Sequence, residues 1–514
     1  MRQVFFYPQV QDNPRLKSNM LFVPTDAFMI LFETYTIAAF IKNLERQQVD
    51  YTPLYQRFVY KKKSYTQQYS HLYVNRLLVL RNRLTQKISS ESTNVPLLPR
   101  IIDLQAGVRC IITGTVLKVL KNKPRLFEAL ISSEQSIDSF LNVGKLASNQ
   151  GEDQIILEDD SGRVELSGDM FDPDVLVTGV VLAVEGHLGD DVPGFQVQQV
   201  FYPCTKPQKP LVQCTKSKYV ALVSGLSIGS GSTSVHPIRT QLLFDYLSGR
   251  IGTDEELIFV SSIVQTIIVG DSISSGPSAD SVRRNPSESP TCVTTSSSFD
   301  HKKHKKVSQV QEYEVAATPL REFDQLLATL VSTMRVDLMP GHSDPSNYSL
   351  PQQAFHECLF PNACSYSSLR LVTNPYDAEI GNIRFLGHAG QPLESIIQST
   401  GSRSQDPDTS NKNRVTKDNA LNCLERCLLW NHIAPTAPDM LSCFPAADED
   451  PFIIDEMPHV FFAGNQKHFE TRMWNGAGND SGVRIISVPC FSESGKIVLV
   501  DLQDLSCFPI TIQA

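Results

Sequence analysis

The hydrophobic period of this chain changes along its length, and those changes limit what it can fold into more than any other feature. Between about residues 98 and 210, apolar side chains recur at every second position. The runs are "RCIITGTVLKVL" (Arg109 to Leu120), "QIILEDDSGRVEL" (Gln154 to Leu166), "LVTGVVLAVEG" (Leu176 to Gly186) and "FQVQQVFY" (Phe195 to Tyr202). A period of two marks strands with one buried face. Asp160-Ser161-Gly162 splits the second run into a hairpin. Gly114 and Gly179, placed within strands, suit the bends that close a small barrel. After Lys216 the pattern becomes alternating strand and helix. "YVALVSGL" (Tyr219 to Leu226) and "TIIVGDS" (Thr266 to Ser272) are continuous apolar runs, as expected of strands buried on both faces.

About five short strands with two T-G-x-V segments predict an OB-like barrel over residues 98–210. Such barrels often stack bases on exposed aromatics above a positive groove. Aromatics and basic residues are sparse here, which favours protein contact. Residues 216–514 predict an α/β domain. "QLLFDYLSG" forms a helix ending near Gly249, and Leu320, Phe323, Leu326, Leu327, Leu330 and Met334 form another that leads into "VDLMPG". "IRFLGHAG" and "HVFFAGN" end two further strands, and "VRIISVPCF" and "KIVLVDLQ" are expected to close the domain as a hairpin. Residues 51–97 form an amino-terminal helical segment. Ser64-Tyr65-Thr66-Gln67 reads as its capping box, and Tyr65, Tyr69, Leu72, Tyr73, Leu77, Leu80 and Leu84 follow at helical spacing. Residues 1–50 carry no clear organisation. Two polar stretches, about 274–310 and 399–417, cannot bury enough to offset their ordering entropy and are expected to be disordered insertions. The first ends in the basic hexad His301 to Lys306, which fits either a nuclear-import signal or a solvated charge run.

Composition excludes several classes. At 514 residues, 41% apolar and 20% charged, the chain can bury ample core. A net charge of -9 argues against gripping nucleic acid alone, since phosphate neutralisation supplies most non-specific affinity. Eleven cysteines show no C-x-x-C pair; the closest are Cys423/Cys427 and Cys358/Cys364, while Cys110 and Cys490 lie in apolar runs. They are expected to be free thiols in a reduced, intracellular compartment. The longest apolar stretch, Phe28 to Ile41, includes Glu33 and is shorter than the roughly 20 residues a bilayer requires, so no membrane association is expected.

Chemistry in an α/β sheet gathers at strand ends. A dinuclear phosphoesterase needs Asp and His ligands there in the pattern D-x-H, G-D-x-x-D, G-N-H-[DE], a lone His, then G-H-x-H, so that two metals share a carboxylate and the attacking hydroxide. Along this chain the first slot holds Ser224 and Leu226 around Gly225. The second keeps Asp271 but has Ser274 in place of its companion. The third offers His342, the fourth His388, and the fifth has Asn465 and Lys467 where two histidines belong. Three separate donors do not complete two metal shells and leave room for one weak mononuclear site at most. Asp271 fits turn capping and the histidines fit polar loop filling, so no metal, cofactor or catalytic residue is expected.

"SYTQQYSHLYVNRL" (Ser64 to Leu77), "VSGLSIG" (Val223 to Gly229), "MPGHSDPSNYSLPQQ" (Met339 to Gln353), "LVTNPY" (Leu371 to Tyr376), "RFLGHAGQ" (Arg384 to Gln391), "HIAPTAPDML" (His432 to Leu441) and "PHVFFAGNQ" (Pro458 to Gln466) resemble the family of small, non-catalytic regulatory subunits of eukaryotic DNA polymerase delta. The matches run in order from about residue 64 to the C terminus. The resemblance implies an OB barrel fused to a calcineurin-like metallophosphoesterase α/β sandwich that lacks its metal site, whereas archaeal relatives keep theirs and act as nucleases. It further implies a nuclear scaffold in DNA replication and repair, without catalysis of its own. Its partners would be the cysteine-rich C-terminal module of the catalytic subunit and an accessory subunit, with only indirect contact with the sliding clamp and DNA. The alternatives are a residual metal-dependent phosphodiesterase or nuclease and a single-strand-binding OB protein.

Overall fold

The computed structural model describes residues 45–61, 66–91, 95–123, 146–147, 153–168, 170, 172–189, 194–211, 217–229, 235–274, 317–400, 419–446, 448–476 and 482–513, together with a two-residue strand, β1 (Tyr7–Pro8). The apolar stretch Phe28 to Ile41, the capping pair Ser64-Tyr65, the hexad His301 to Lys306, and most of both polar insertions lie outside these residues. Among the described residues no helix is long and apolar enough to cross a membrane.

Residues 51–97, expected as one helical segment, instead begin with strand β2 (Tyr51–Pro53), which pairs with the second domain, and a 3-10 turn (Tyr55–Phe58) before helix α1 (Ser70–Ser90). The helix starts after Tyr69, which makes no side-chain cap, five residues later than the capping box Ser64 to Gln67 suggested. Its Leu80, Leu84 and Ile88 pack with Ile111, Val181, Ala183 and Phe201 on the outside of the barrel. The barrel comprises β3 (Arg109–Val119), β4 (Gln154–Glu158), β5 (Arg163–Ser167), β6 (Val181–Leu188) and β7 (Phe195–Phe201), closed in the order β3-β4-β5-β7-β6. The β5–β7 pair is parallel and the rest antiparallel, which is the five-stranded OB arrangement. Gly179, placed in a strand by the sequence pattern, instead lies in a turn before β6 with φ of 91°. That strand starts at Val181 because the preceding residues double back on β3: the Gly179 N–H donates to the Val116 carbonyl at 2.8 Å, and the Val116 N–H to the Val180 carbonyl at 2.7 Å.

The second domain stacks two mixed sheets. One contains β8 (Tyr219–Val223), β9 (Ile263–Val269), β10 (Arg335–Met339), β11 (Leu369–Leu371), β17 (Lys496–Asp501) and β18 (Cys507–Thr511) in the order β1-β18-β17-β8-β9-β10-β11. The other contains β12 (Tyr376–Ile380), β13 (Ile383–His388), β14 (Val460–Gln466), β15 (Glu470–Trp474) and β16 (Val483–Pro489) in the order β15-β16-β14-β13-β12-β2. Val264, Ile267 and Val269 of β9 face Phe385, Val460 and Phe462 between the sheets, while Ile263 and Ile268 join the opposite layer. That layer holds helices α2 (Val235–Leu247), α3 (Asp254–Ser261) and α4 (317–331). Burial on both faces accounts for the continuous apolar runs. Helices α5 (Gln391–Ser399) and α6 (Ala420–Leu429) cover the second sheet, and their core continues into the barrel interior.

Two expectations are corrected here. "VRIISVPCF" and "KIVLVDLQ" do not form a hairpin: β16 belongs to one sheet and β17 to the other, with the short helix α7 (Phe491–Ser494) and the left-handed Gly495 carrying the chain across. Ser399 and Thr400, assigned to a polar insertion, are buried at the end of α5, where the Ser399 hydroxyl donates to the Ser395 carbonyl at 2.9 Å.

Candidate functional site at the strand ends

All five slots singled out in the sequence fall at the carboxyl ends of parallel strands: Ser224 to Leu226 after β8, Asp271 to Ser274 after β9, His342 after β10, His388 at the end of β13, and Asn465 and Lys467 on β14 and just beyond it. Glycines bring them together. A methyl group built on Gly225 would lie 2.8 Å from Asn465 Oδ1 and 2.4 Å from Cys490 Sγ. One on Gly270 would lie 2.7 Å from Ala389 Cβ and 2.8 Å from Gly341 Cα. The strand ends thus approach more closely than a side chain at either glycine would allow.

The polar groups there bind one another. The Ser224 hydroxyl donates to the Pro489 carbonyl at 3.1 Å and accepts the Asn465 N–H at 3.0 Å. Leu226 is fully buried in the core. The Asp271 carboxylate accepts both the N–H (2.8 Å) and the hydroxyl (3.0 Å) of Ser343. Ser274 is half-buried, and its N–H donates to the Ile228 carbonyl at 2.9 Å. The Asn465 side-chain amide donates to the Ala389 carbonyl at 2.7 Å. His342 is exposed, edge-on to Tyr348 at 5.6 Å, and Lys467 is exposed too. His388 is buried, its Nδ1 accepting the Gly390 N–H at 3.1 Å, and burial pushes its pKa down to about 3, so the ring is neutral. Among the described residues no three His, Cys, Asp or Glu side chains are grouped to hold a metal.

Two residues that tie these loops together went unnoticed in the sequence. Asp344 is buried two positions after His342, and it accepts the Gly341 N–H at 2.8 Å and the Ile273 N–H at 2.9 Å. Burial raises its pKa to about 7 despite these bonds. Gln352 donates to the Gly341 carbonyl at 2.9 Å and accepts from Asn374 (2.7 Å) and Gln391 (3.0 Å). Amides and backbone groups thus satisfy one another at these strand ends.

A second polar centre joins the domains. Arg76 of α1 is wholly buried; its Nε pairs with Asp450 at 2.7 Å, and its other nitrogens donate to the carbonyls of Gly179 (3.2 Å), Pro435 (2.9 Å) and Ala437 (2.8 Å). His432 accepts the Ala434 N–H on Nδ1 at 3.2 Å, so its Nε2 proton goes to Asp450 at 2.9 Å. Burial, followed by the Arg76 charge, lowers the His432 pKa to about 4. Burial pushes Asp450 up, but Arg76 and His432 outweigh it and hold the carboxyl well below the usual carboxylate range. Barrel, helix and second domain thus meet around one guanidinium. A charge buried there requires all these partners, which explains an arginine on the inner face of an amphipathic helix.

The chain is therefore a two-part protein in which an OB barrel is fixed to an α/β sandwich. Residues 68–200 match the family described as DNA polymerase delta subunit OB-fold domain, and residues 220–471 match the B-subunit family of DNA polymerases alpha and epsilon. The DNA polymerase delta small subunit of Oryza sativa subsp. japonica is 34% identical over 465 residues, covering 90% of this chain and 97% of that protein. The small subunit of Arabidopsis thaliana is 35% identical over 470 residues (91% and 96%), and that of Saccharomyces cerevisiae is 31% identical over 480 residues (88% and 91%). The chain belongs to the family of DNA polymerase delta small subunits.

Proposed function

We propose that this chain is a non-catalytic scaffold in the nucleus, joining the cysteine-rich C-terminal module of the polymerase delta catalytic subunit to an accessory subunit that contacts the sliding clamp during replication and repair. In this account the second domain is a calcineurin-like phosphoesterase sandwich whose chemistry has been removed. The observation that carries it is the set of strand-end residues: Ser224, Leu226, Asn465 and Lys467 stand in ligand slots, and the retained Asp271 carboxylate is taken up by Ser343. A metal pair needs shared carboxylates and histidines within bonding reach, and this donor set does not fit one. The lock at Arg76 favours the same function, because a scaffold must present two domains in fixed relation.

The test is thermal unfolding of the full chain with and without the catalytic subunit's C-terminal module. Any ligand of the folded state raises its melting temperature by mass action. A rise of several degrees that saturates near equal stoichiometry is expected. An unchanged melting temperature at saturating module would overturn the proposal.

A further inference from the structure

Residues 45–54 cross the second domain, Tyr55–Phe58 make a 3-10 turn, and the contacts of the segment are with residues distant in sequence. Arg46 lies at one end. Its guanidinium donates to carbonyls at the C-terminal ends of three helices: Leu247 of α2 at 2.8 Å, Val260 of α3 at 2.9 Å, and Thr333 just after α4 at 3.1 Å. It also reaches Ile263 at the start of β9 at 2.6 Å. The last carbonyls of a helix have no partner within it, and a cation there also meets the negative end of the helix dipole. One side chain thus serves three helix ends more than 200 residues away in sequence.

The middle of the segment binds through its backbone. Arg335 donates to the Val49 carbonyl at 2.7 Å, Lys218 to the Gln48 carbonyl at 2.9 Å, and the Gly381 N–H to the Asp50 carbonyl at 2.9 Å. Tyr51 to Pro53 then pair antiparallel with Ile380 to Ala378, covering what would be the open edge of the second sheet. The Arg370 guanidinium lies 3.7 Å over the Tyr51 ring. Arg57 pairs with the buried Asp377 at 3.1 Å. At the far end Tyr60 donates through its hydroxyl to the Pro351 carbonyl at 2.7 Å and through its N–H to Gln353 at 3.1 Å, holding the loop that places Gln352 under the strand ends.

We propose that residues 45–60 are a clasp: an intramolecular peptide ligand for a groove that runs from the ends of α2, α3 and α4, along the edge of β12, to the 347–353 loop. The groove fits an extended segment with arginine at one end and aromatic residues beyond it, and it binds that segment without needing the chain connection through α1 and the barrel. The second domain is accordingly built from two pieces, with the barrel inserted between them.

The test places a site-specific protease site between Lys61 and Thr66 of the full chain. After complete cutting, the amino-terminal piece should co-elute with the remainder on a sizing column in native buffer and separate only in denaturant. A labelled synthetic peptide of residues 45–61 should exchange into the cut protein saturably, and the same peptide with Arg46→Ala should bind at least tenfold more weakly. In the uncut chain Arg46→Ala should lower the melting temperature by several degrees, with Arg46→Lys in between, because one ammonium does not span three helix ends. Two results would each overturn the proposal: native separation of the piece with the remainder's melting temperature unchanged, or equal binding by the wild-type and Arg46→Ala peptides.

Discussion

Asp271 has a positive φ of 53°, a backbone shape that asparagine tolerates as well as aspartate does. Its carboxylate accepts from Ser343, and one amide oxygen replaces most of that. Asp271→Asn is therefore expected to cost about 1 kcal/mol of stability or less and to leave polymerase holoenzyme activity at the wild-type level in primer-extension assays. Gly179 is the opposite case. A β-carbon there would lie 2.1 Å from the Pro435 carbonyl oxygen and 2.7 Å from the Arg76 guanidinium, on a residue with φ of 91°. Gly179→Ala should lower unfolding stability in urea by at least about 2 kcal/mol, since it combines backbone strain with a forced opening of the lock. That these residues lie at strand ends was legible in the sequence, because glycine turns after apolar runs announce such ends. The roles of Asp344 and Arg76 were not: each depends on partners brought by distant segments, and an arginine at helical spacing looks like any solvated charge.

At the scale of elements, α1 is the pin between barrel and sandwich. Arg76→Met should destabilise the chain by about 3–5 kcal/mol, since it strands a buried Asp450. Adding Asp450→Asn should recover part of the loss, and the pair of measurements separates the charge from the packing. The same centre predicts a dependence on pH. Neutral His432 has its pKa lowered in the folded state, so the stability it confers is full above about pH 6.5 and is lost as pH falls towards about 4. Asp344 works the other way: its raised pKa means that stability increases as pH falls from about 7 towards the ordinary carboxylate value. The two offset each other in the wild type. Urea unfolding of wild type and His432→Gln at pH 7 and pH 5 isolates the first, and the variant should lose less stability, or gain more, than wild type on acidification. Period-two strands and the α/β alternation showed in the sequence, but the destination of β17 did not. Local pattern gives a strand its faces; only pairing across the whole domain says which sheet it joins.

For the whole molecule, the barrel was readable from five short alternating runs, and an α/β domain from apolar strands that end in glycine, while its sandwich form was implied only by the family resemblance. The continuity of the two cores was hidden, because barrel residues such as Leu176 and Val177 and sandwich residues such as Trp430 and Phe461 share one apolar layer that no local window contains. That continuity fits a body made to hold partners in fixed relation. The central claim is that this chain works as a scaffold rather than as a hydrolase. The most direct measurement is quantitative mass spectrometry of the complex purified from cells through a tag on this chain, with bound metal and Mn²⁺-dependent cleavage of a labelled oligonucleotide measured on the same sample. The scaffold account predicts a polymerase catalytic chain in near-equal amount and cleavage no different between wild type and Asp271→Asn. Recovery of the chain without a polymerase subunit, carrying stoichiometric metal and a cleavage activity that Asp271→Asn abolishes, would contradict it.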